Sequence, residues 1–94
     1  MRKSYIFIYS EALGNYESIK YWLDNMSNII DWRSDLPNTF YIISDADADT
    51  IATEIRRRLG NNRFLITEYS QNSQGWLNDD TWYLLNNSRR KPKT

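Results

Sequence analysis

Between Leu36 and Ser70 the hydrophobic period changes from that of a strand to that of a helix and back again. Leu36-Pro37-Asn38 carries turn chemistry, and Thr39-Phe40-Tyr41-Ile42-Ile43-Ser44 is a continuous run of β-branched and aromatic types that reads as a strand buried on both faces. Asp45-Ala46-Asp47-Ala48-Asp49 then precedes a helix whose buried stripe runs through Ile51, Ile55 and Leu59, with Ala48 and Ala52 beside it. Asp47 is the expected N-cap, Arg56, Arg57 and Arg58 occupy the last turn where cations favour the helix dipole, and Gly60 ends the helix. Arg63 to Ser70 reads as a second strand, polar in its outer half as suits an edge. A strand, a helix and another strand of these lengths make one right-handed crossover, so both strands belong to one sheet and the helix lies on one of its faces.

The first half follows the same plan. Ser4 to Ser10 is apolar or aromatic at every interior position, and because side chains alternate across a strand, Tyr5, Phe7 and Tyr9 point one way and Ile6 and Ile8 the other. After Gly14-Asn15, the residues Tyr16, Ile19, Leu23 and Met26 recur at helical spacing. Asn28 to Ser34 alternates Asp31 and Arg33 around Trp32 and reads as a half-exposed strand that forms a hairpin with the run from Thr39. Beyond a loop at Gln71 to Gly75, a short helix is expected from about Asp79 to Asn86, with Trp82, Leu84 and Leu85 as apolar contacts. The predicted order is βαββαβ plus a terminal helix, an α+β chain of the split βαβ or ferredoxin-like kind: an antiparallel sheet with two helices on one face. In that arrangement the first and third strands are central, and here they are the two most continuously apolar ones. Residues 1–87 are expected to form a single domain and 88–94 a disordered basic tail, since only Pro92 there is apolar.

Composition removes most small-enzyme chemistry. The 94 residues include no Cys and no His, so thiol nucleophiles, imidazole bases, disulfides and the usual zinc sites are absent from the options. No cofactor is called for. No apolar run approaches a membrane span or a signal sequence, and the expected localisation is cytoplasmic. Four of the twelve basic residues, Arg89, Arg90, Lys91 and Lys93, fall in the last six positions, leaving eight against twelve acidic side chains and a net charge of −4 for residues 1–88. A wholesale grip on nucleic acid needs a basic field, which the body lacks and only the tail supplies. Fourteen aromatic residues, among them Trp22, Trp32, Trp76 and Trp82, exceed what so short a chain needs for its interior, which points to burial against a partner.

Ser44-Asp45 before an arginine-containing helix, then a strand, then Gln74-Gly75-Trp76-Leu77 leading into a helix with Trp82, resembles the small ferredoxin-like proteins grouped with the CRISPR adaptation subunit and its SinR-like relatives. The likeness spans roughly residues 4–87 as architecture and 39–83 as motif. It implies a homodimer formed through the sheets, a role in prokaryotic or phage defence and, for some members, metal-dependent nuclease activity centred on an Asp at the end of the first strand. The matching position here is Ser10, followed by Glu11. A hydroxyl is a poor replacement for an anionic ligand of a hard divalent cation.

Asp45, Asp47 and Asp49 begin like a calcium loop, but Thr50 stands where the loop needs Gly and Arg56 where it needs its bidentate Glu, so capping and dipole complementation explain them. Glu11 and Glu68 could be paired for metal-assisted hydrolysis, yet the first and fourth strands run antiparallel and their C-terminal ends lie at opposite ends of the sheet. Glu11 is the one catalytic candidate, and no metal site is assigned. Tyr5, Phe7 and Tyr9, with Tyr41 from the third strand, are expected to form an aromatic face that serves a dimer or partner or is covered by the terminal helix. An RNA-stacking role is disfavoured because the third strand has neither the Gly nor the basic residue of the RNA-recognition signature. Arg56, Arg57, Arg58 and Arg63, with Arg89, Arg90 and Lys91 of the tail, are the candidate nucleic-acid contacts. The expected function is a non-catalytic homodimeric binding module for a protein or nucleic-acid partner. The alternative is a divalent-metal endonuclease or ribonuclease toxin of the same fold.

Overall fold

The computed structural model describes residues 1–93; Thr94, the last residue of the expected tail, lies outside the described residues. The strands are β1 (Lys3–Tyr9), β2 (Asp31–Ser34), β3 (Thr39–Ser44) and β4 (Phe64–Glu68), and the helices α1 (Tyr16–Asp24), α2 (Ala48–Leu59) and α3 (Asp79–Asn87). A single 3-10 turn at Glu11–Leu13 follows β1. The four strands form one antiparallel sheet in the order β2-β3-β1-β4, which is the ferredoxin-like arrangement with an added C-terminal helix. The two continuously apolar strands are central, as expected.

Local chemistry places the helix ends. Asn15 caps α1 by accepting the Ser18 N–H at 2.9 Å, and Asp47 caps α2 by accepting the Thr50 N–H at 2.8 Å. At the far end of α2, Gly60 takes φ 92°, a conformation that costs glycine little and any L side chain more. β2 is shorter than its hydrophobic pattern suggests. The Ile29 N–H turns back to the Met26 carbonyl and the Asn28 carbonyl accepts the Ser44 hydroxyl, so the chain is still turning at 28–29; the Ile30 N–H reaches the Ile43 carbonyl of β3 at 2.8 Å, and regular pairing runs from Asp31. β4 likewise stops at Glu68, two residues before the end of its run.

The sheet is covered on both faces. Under α1 and α2 lie Tyr5, Phe7, Tyr9, Phe40 and Ile42, packed with Ile19, Leu23, Met26, Ile51 and Ile55. Phe40 is the hub, stacked on Phe7, Tyr9 and Tyr16 and meeting Trp32 edge-on at 5.2 Å. Buried ring pairs of this kind each add about 0.5–1.5 kcal/mol beyond their area. On the opposite face α3 covers Tyr41 and Ile43 with Leu84 and Leu85, and Ile6, Tyr69, Leu77 and Trp82 pack at the margin. The register corrects the expected aromatic face: Tyr41 sits opposite Ile6, so it points away from Tyr5, Phe7 and Tyr9. All four side chains are interior, the three of β1 beneath α1 and α2 and Tyr41 beneath α3. Five aromatic side chains, Tyr5, Phe7, Tyr9, Phe40 and Tyr41, are therefore used inside, while Tyr16, Tyr21 and Trp76 stay exposed.

A polar joint fixes α3 to the sheet. Arg33 Nε donates to the Thr81 hydroxyl at 2.8 Å, and that hydroxyl donates to Asp35 Oδ2 at 2.9 Å. Asp35 also accepts the Asn78 N–H at 2.8 Å, placing a carboxylate at the start of α3 where the dipole favours it. No helix among the described residues is long and apolar enough to cross a membrane.

Candidate functional site

The outer strands of an open sheet carry backbone groups that have no neighbouring strand, and proteins usually blunt such edges. The two edges here differ at Trp32, although the outward Ser34 N–H and C=O of β2 have no hydrogen-bond partner among the described residues. On β2, Trp32 pairs with Ile42, and its own backbone groups are bonded to side chains: the Trp32 N–H donates to Asp31 Oδ1 at 2.8 Å, and the Trp32 carbonyl accepts Arg90 Nη2 at 3.2 Å. Arg90 also grips Asp31 with two bonds, Nε to Oδ2 at 3.0 Å and Nη2 to Oδ1 at 2.7 Å. Burial alone would push the Asp31 carboxyl up, but the bonds from Arg90 and the Trp32 N–H outweigh it and hold the carboxyl below its ordinary range; the same pair raises the Arg90 guanidinium. Lys91 adds a looser contact to Asp80 at 3.7 Å.

β4 has no such cover. The Ser10 N–H bonds the Arg63 carbonyl at 3.0 Å and the Tyr69 N–H bonds the Ser4 carbonyl at 2.8 Å, which sets the alternation between them. In an antiparallel ladder every second residue faces its neighbour strand, so Arg63, Leu65, Thr67 and Tyr69 turn their backbone toward β1, and Phe64, Ile66 and Glu68 turn theirs outward. None of those outward N–H and C=O groups has a hydrogen-bond partner among the described residues. Beside them runs a shallow groove of about 580 Å³ between α2 and the strand, lined by Ala52, Arg56, Arg63 and the residues Phe64 to Ile66. Above the other face, Leu65 is 56% exposed and Ile8, its partner in register, 46% exposed. The candidate site is the β4 edge.

The seven cationic candidates do not form one patch. Arg57 and Arg58 are both held by Glu54, whose carboxyl their hydrogen bonds keep below its ordinary range, and Arg58 also lies over the Trp22 ring at 5.2 Å. Arg90 and Lys91 are engaged at Asp31 and Asp80, and Arg89 lies over Tyr83. Arg56 and Arg63 have no carboxylate within ion-pair distance among the described residues, and Arg56 stands over the Phe64 ring at 5.9 Å. Arg56 and Arg63 thus border the β4 edge, Arg58 faces α1 across Trp22, and Arg89 to Lys91 lie on the β2 and α3 side.

Glu11 is exposed in the turn after β1, whereas Glu68 is ion-paired with Lys3 and lies opposite Tyr5, so the length of β1 separates the two. Ser10 faces a second shallow depression with Ala12, Arg56, Asn61, Asn62 and Arg63, a lining with no carboxylate. Among the described residues no three acidic side chains converge on a point. The open edge was the feature missed from sequence. The polarity of Glu68 to Ser70 marked an edge strand, but nothing in it showed that the other edge would be closed by Arg90. No family model, curated protein or solved structure matches the chain.

Proposed function

We propose that this chain is a non-catalytic homodimeric binding module whose protein contacts are made through the margin of its sheet. The observation that carries the reading is the asymmetry of the edges: β2 is closed at Trp32 by Asp31 and Arg90, while the outward backbone groups of β4 are unbonded beside an exposed Leu65. Main-chain bonding along such an edge, with apolar contact beside it, is a general mode of protein recognition. Trp76 supports the same reading, because a tryptophan 95% exposed is a ready anchor for a partner. The likeness of residues 39–83 to CRISPR adaptation subunits is the ground for setting the module in prokaryotic or phage defence. Static light scattering, alone and with short duplex DNA or single-stranded RNA, tests the proposal. A dimer mass unchanged by either nucleic acid is expected. Metal-dependent cleavage of either, lost in Glu11→Ala, would overturn it in favour of the nuclease alternative.

A nucleic-acid partner is the second reading, favoured by Arg56 and Arg63, the two cations of the β4 side without a carboxylate. It requires binding that weakens steeply with salt and is lost in Arg63→Glu.

A further inference from the structure

We infer that a second copy of this chain occupies the β4 edge, pairing antiparallel about Ile66 so that the two four-stranded sheets become one continuous sheet. The inference rests on the homodimeric reading above and names its interface. A two-fold axis normal to the sheet keeps the helices of both copies on the same side, and it brings only residues of equal parity face to face. The outward residues of β4 are Phe64, Ile66 and Glu68, all of one parity. Centring the pair on Ile66 sets Phe64 opposite the partner's Glu68, Ile66 opposite the partner's Ile66, and Glu68 opposite the partner's Phe64. Every outward group of the strand then finds a partner, giving about six backbone hydrogen bonds. A shift of two residues in either direction leaves one outward residue of each copy without a strand partner.

Charge supports this register. The N-terminal end of β4 is cationic, with Arg63 next to the strand and Arg56 over the Phe64 ring at 5.9 Å. The C-terminal end is anionic at Glu68, which lies on the same face as Phe64 and is about half exposed even with Lys3 at 3.5 Å. Antiparallel pairing lays Glu68 of each copy across from Phe64 of the other, where directly opposite side chains stand about 4.5–5.5 Å apart at Cβ, and so within reach of Arg56. On the other face, the exposed Leu65 meets the partner's Thr67, and Arg63 meets the partner's Tyr69. No like charges are opposed. Parallel pairing would instead set the cationic ends of both copies together.

Amide hydrogen exchange with a charge swap tests the inference. In the dimer, the Phe64, Ile66 and Glu68 amides are expected to slow at least tenfold between micromolar and millimolar protein, while the amides of Leu65 and Thr67, already bonded to β1, change little. Glu68→Arg and Arg56→Glu are each expected to weaken dimerisation about tenfold or more by sedimentation velocity, and the double variant to recover most of the loss. Arg56 and Glu68 are both outside the core clusters, and circular dichroism of each variant checks that it folds. A dimer whose β4 amides exchange freely, or whose affinity ignores both reversals, overturns the edge pairing and leaves the homodimeric reading standing. A chain that is monomeric at every concentration overturns both, and leaves the groove to an extended segment of a different protein.

Discussion

Replacing Thr81 by Val should detach α3 more than its size suggests. Thr81 is fully buried, and its hydroxyl is a relay, accepting from Arg33 Nε at 2.8 Å and donating to Asp35 Oδ2 at 2.9 Å. Val keeps the shape and removes both bonds. A hydrogen bond to a charged group contributes about 1.5–3 kcal/mol, but Arg33 and Asp35 keep some access to water, so the pair together should be worth about 2 kcal/mol. For a domain of this size each kcal/mol moves the midpoint by about 4–8 °C, so a loss of about 8–16 °C is expected. Thermal unfolding followed by circular dichroism measures it. Thr81→Ser keeps the relay and gives up only a methyl, about 1 kcal/mol, so it should lose roughly half as much. If Val matches the parent, or if Ser is as damaged as Val, the hydroxyl relay is not what holds α3 and the reasoning fails.

Other expectations follow from single contacts. Asp47→Ala removes the cap on α2 and should cost about 1 kcal/mol in urea unfolding, whereas Asp49→Ala, which accepts no capping bond, should cost less. Gly60→Ala places a side chain where nothing lies within 4 Å but φ is 92°, so any loss, about 1–2 kcal/mol by chemical denaturation, is conformational alone. Acid should destabilise the fold. Asp31, Asp47 and Glu54 are all held below their ordinary values, so the folded chain binds fewer protons than the unfolded one; their contribution is complete above about pH 5 and disappears as pH falls through the folded values. Unfolding midpoints measured from pH 7 to pH 2 should fall over the acid end, and the Arg90→Ala variant should fall less because Asp31 has lost its partner.

Much of this architecture is written in local pattern. The uninterrupted apolar runs of β1 and β3 identify the centre of the sheet, and capping residues at Asp47 and Gly60 bound α2, because these signals act over a few neighbouring positions. Alternation also separates Tyr5, Phe7 and Tyr9 from Ile6 and Ile8. It cannot say which residues of a second strand share their face. That depends on register, and the pairing of Ile6 with Tyr41 sends the Tyr41 ring under α3. The closing of the β2 edge was hidden for a similar reason. Arg90 and Asp31 are 59 positions apart, and a basic tail reads as a solvated segment until the fold brings it to an acidic strand end. The β4 edge was half legible: its polar end marked the strand as outer, while its isolation is visible only against the covered edge opposite.

Small-angle X-ray scattering over a concentration series tests the homodimeric binding module most directly, since it reports mass and shape together. A homodimer has a mass of twice 11.3 kDa, a radius of gyration well above the 12.6 Å of one chain, and a longest dimension beyond its 37 Å axis, and these values are expected. A particle of 11.3 kDa that keeps the single-chain radius up to millimolar protein would contradict it.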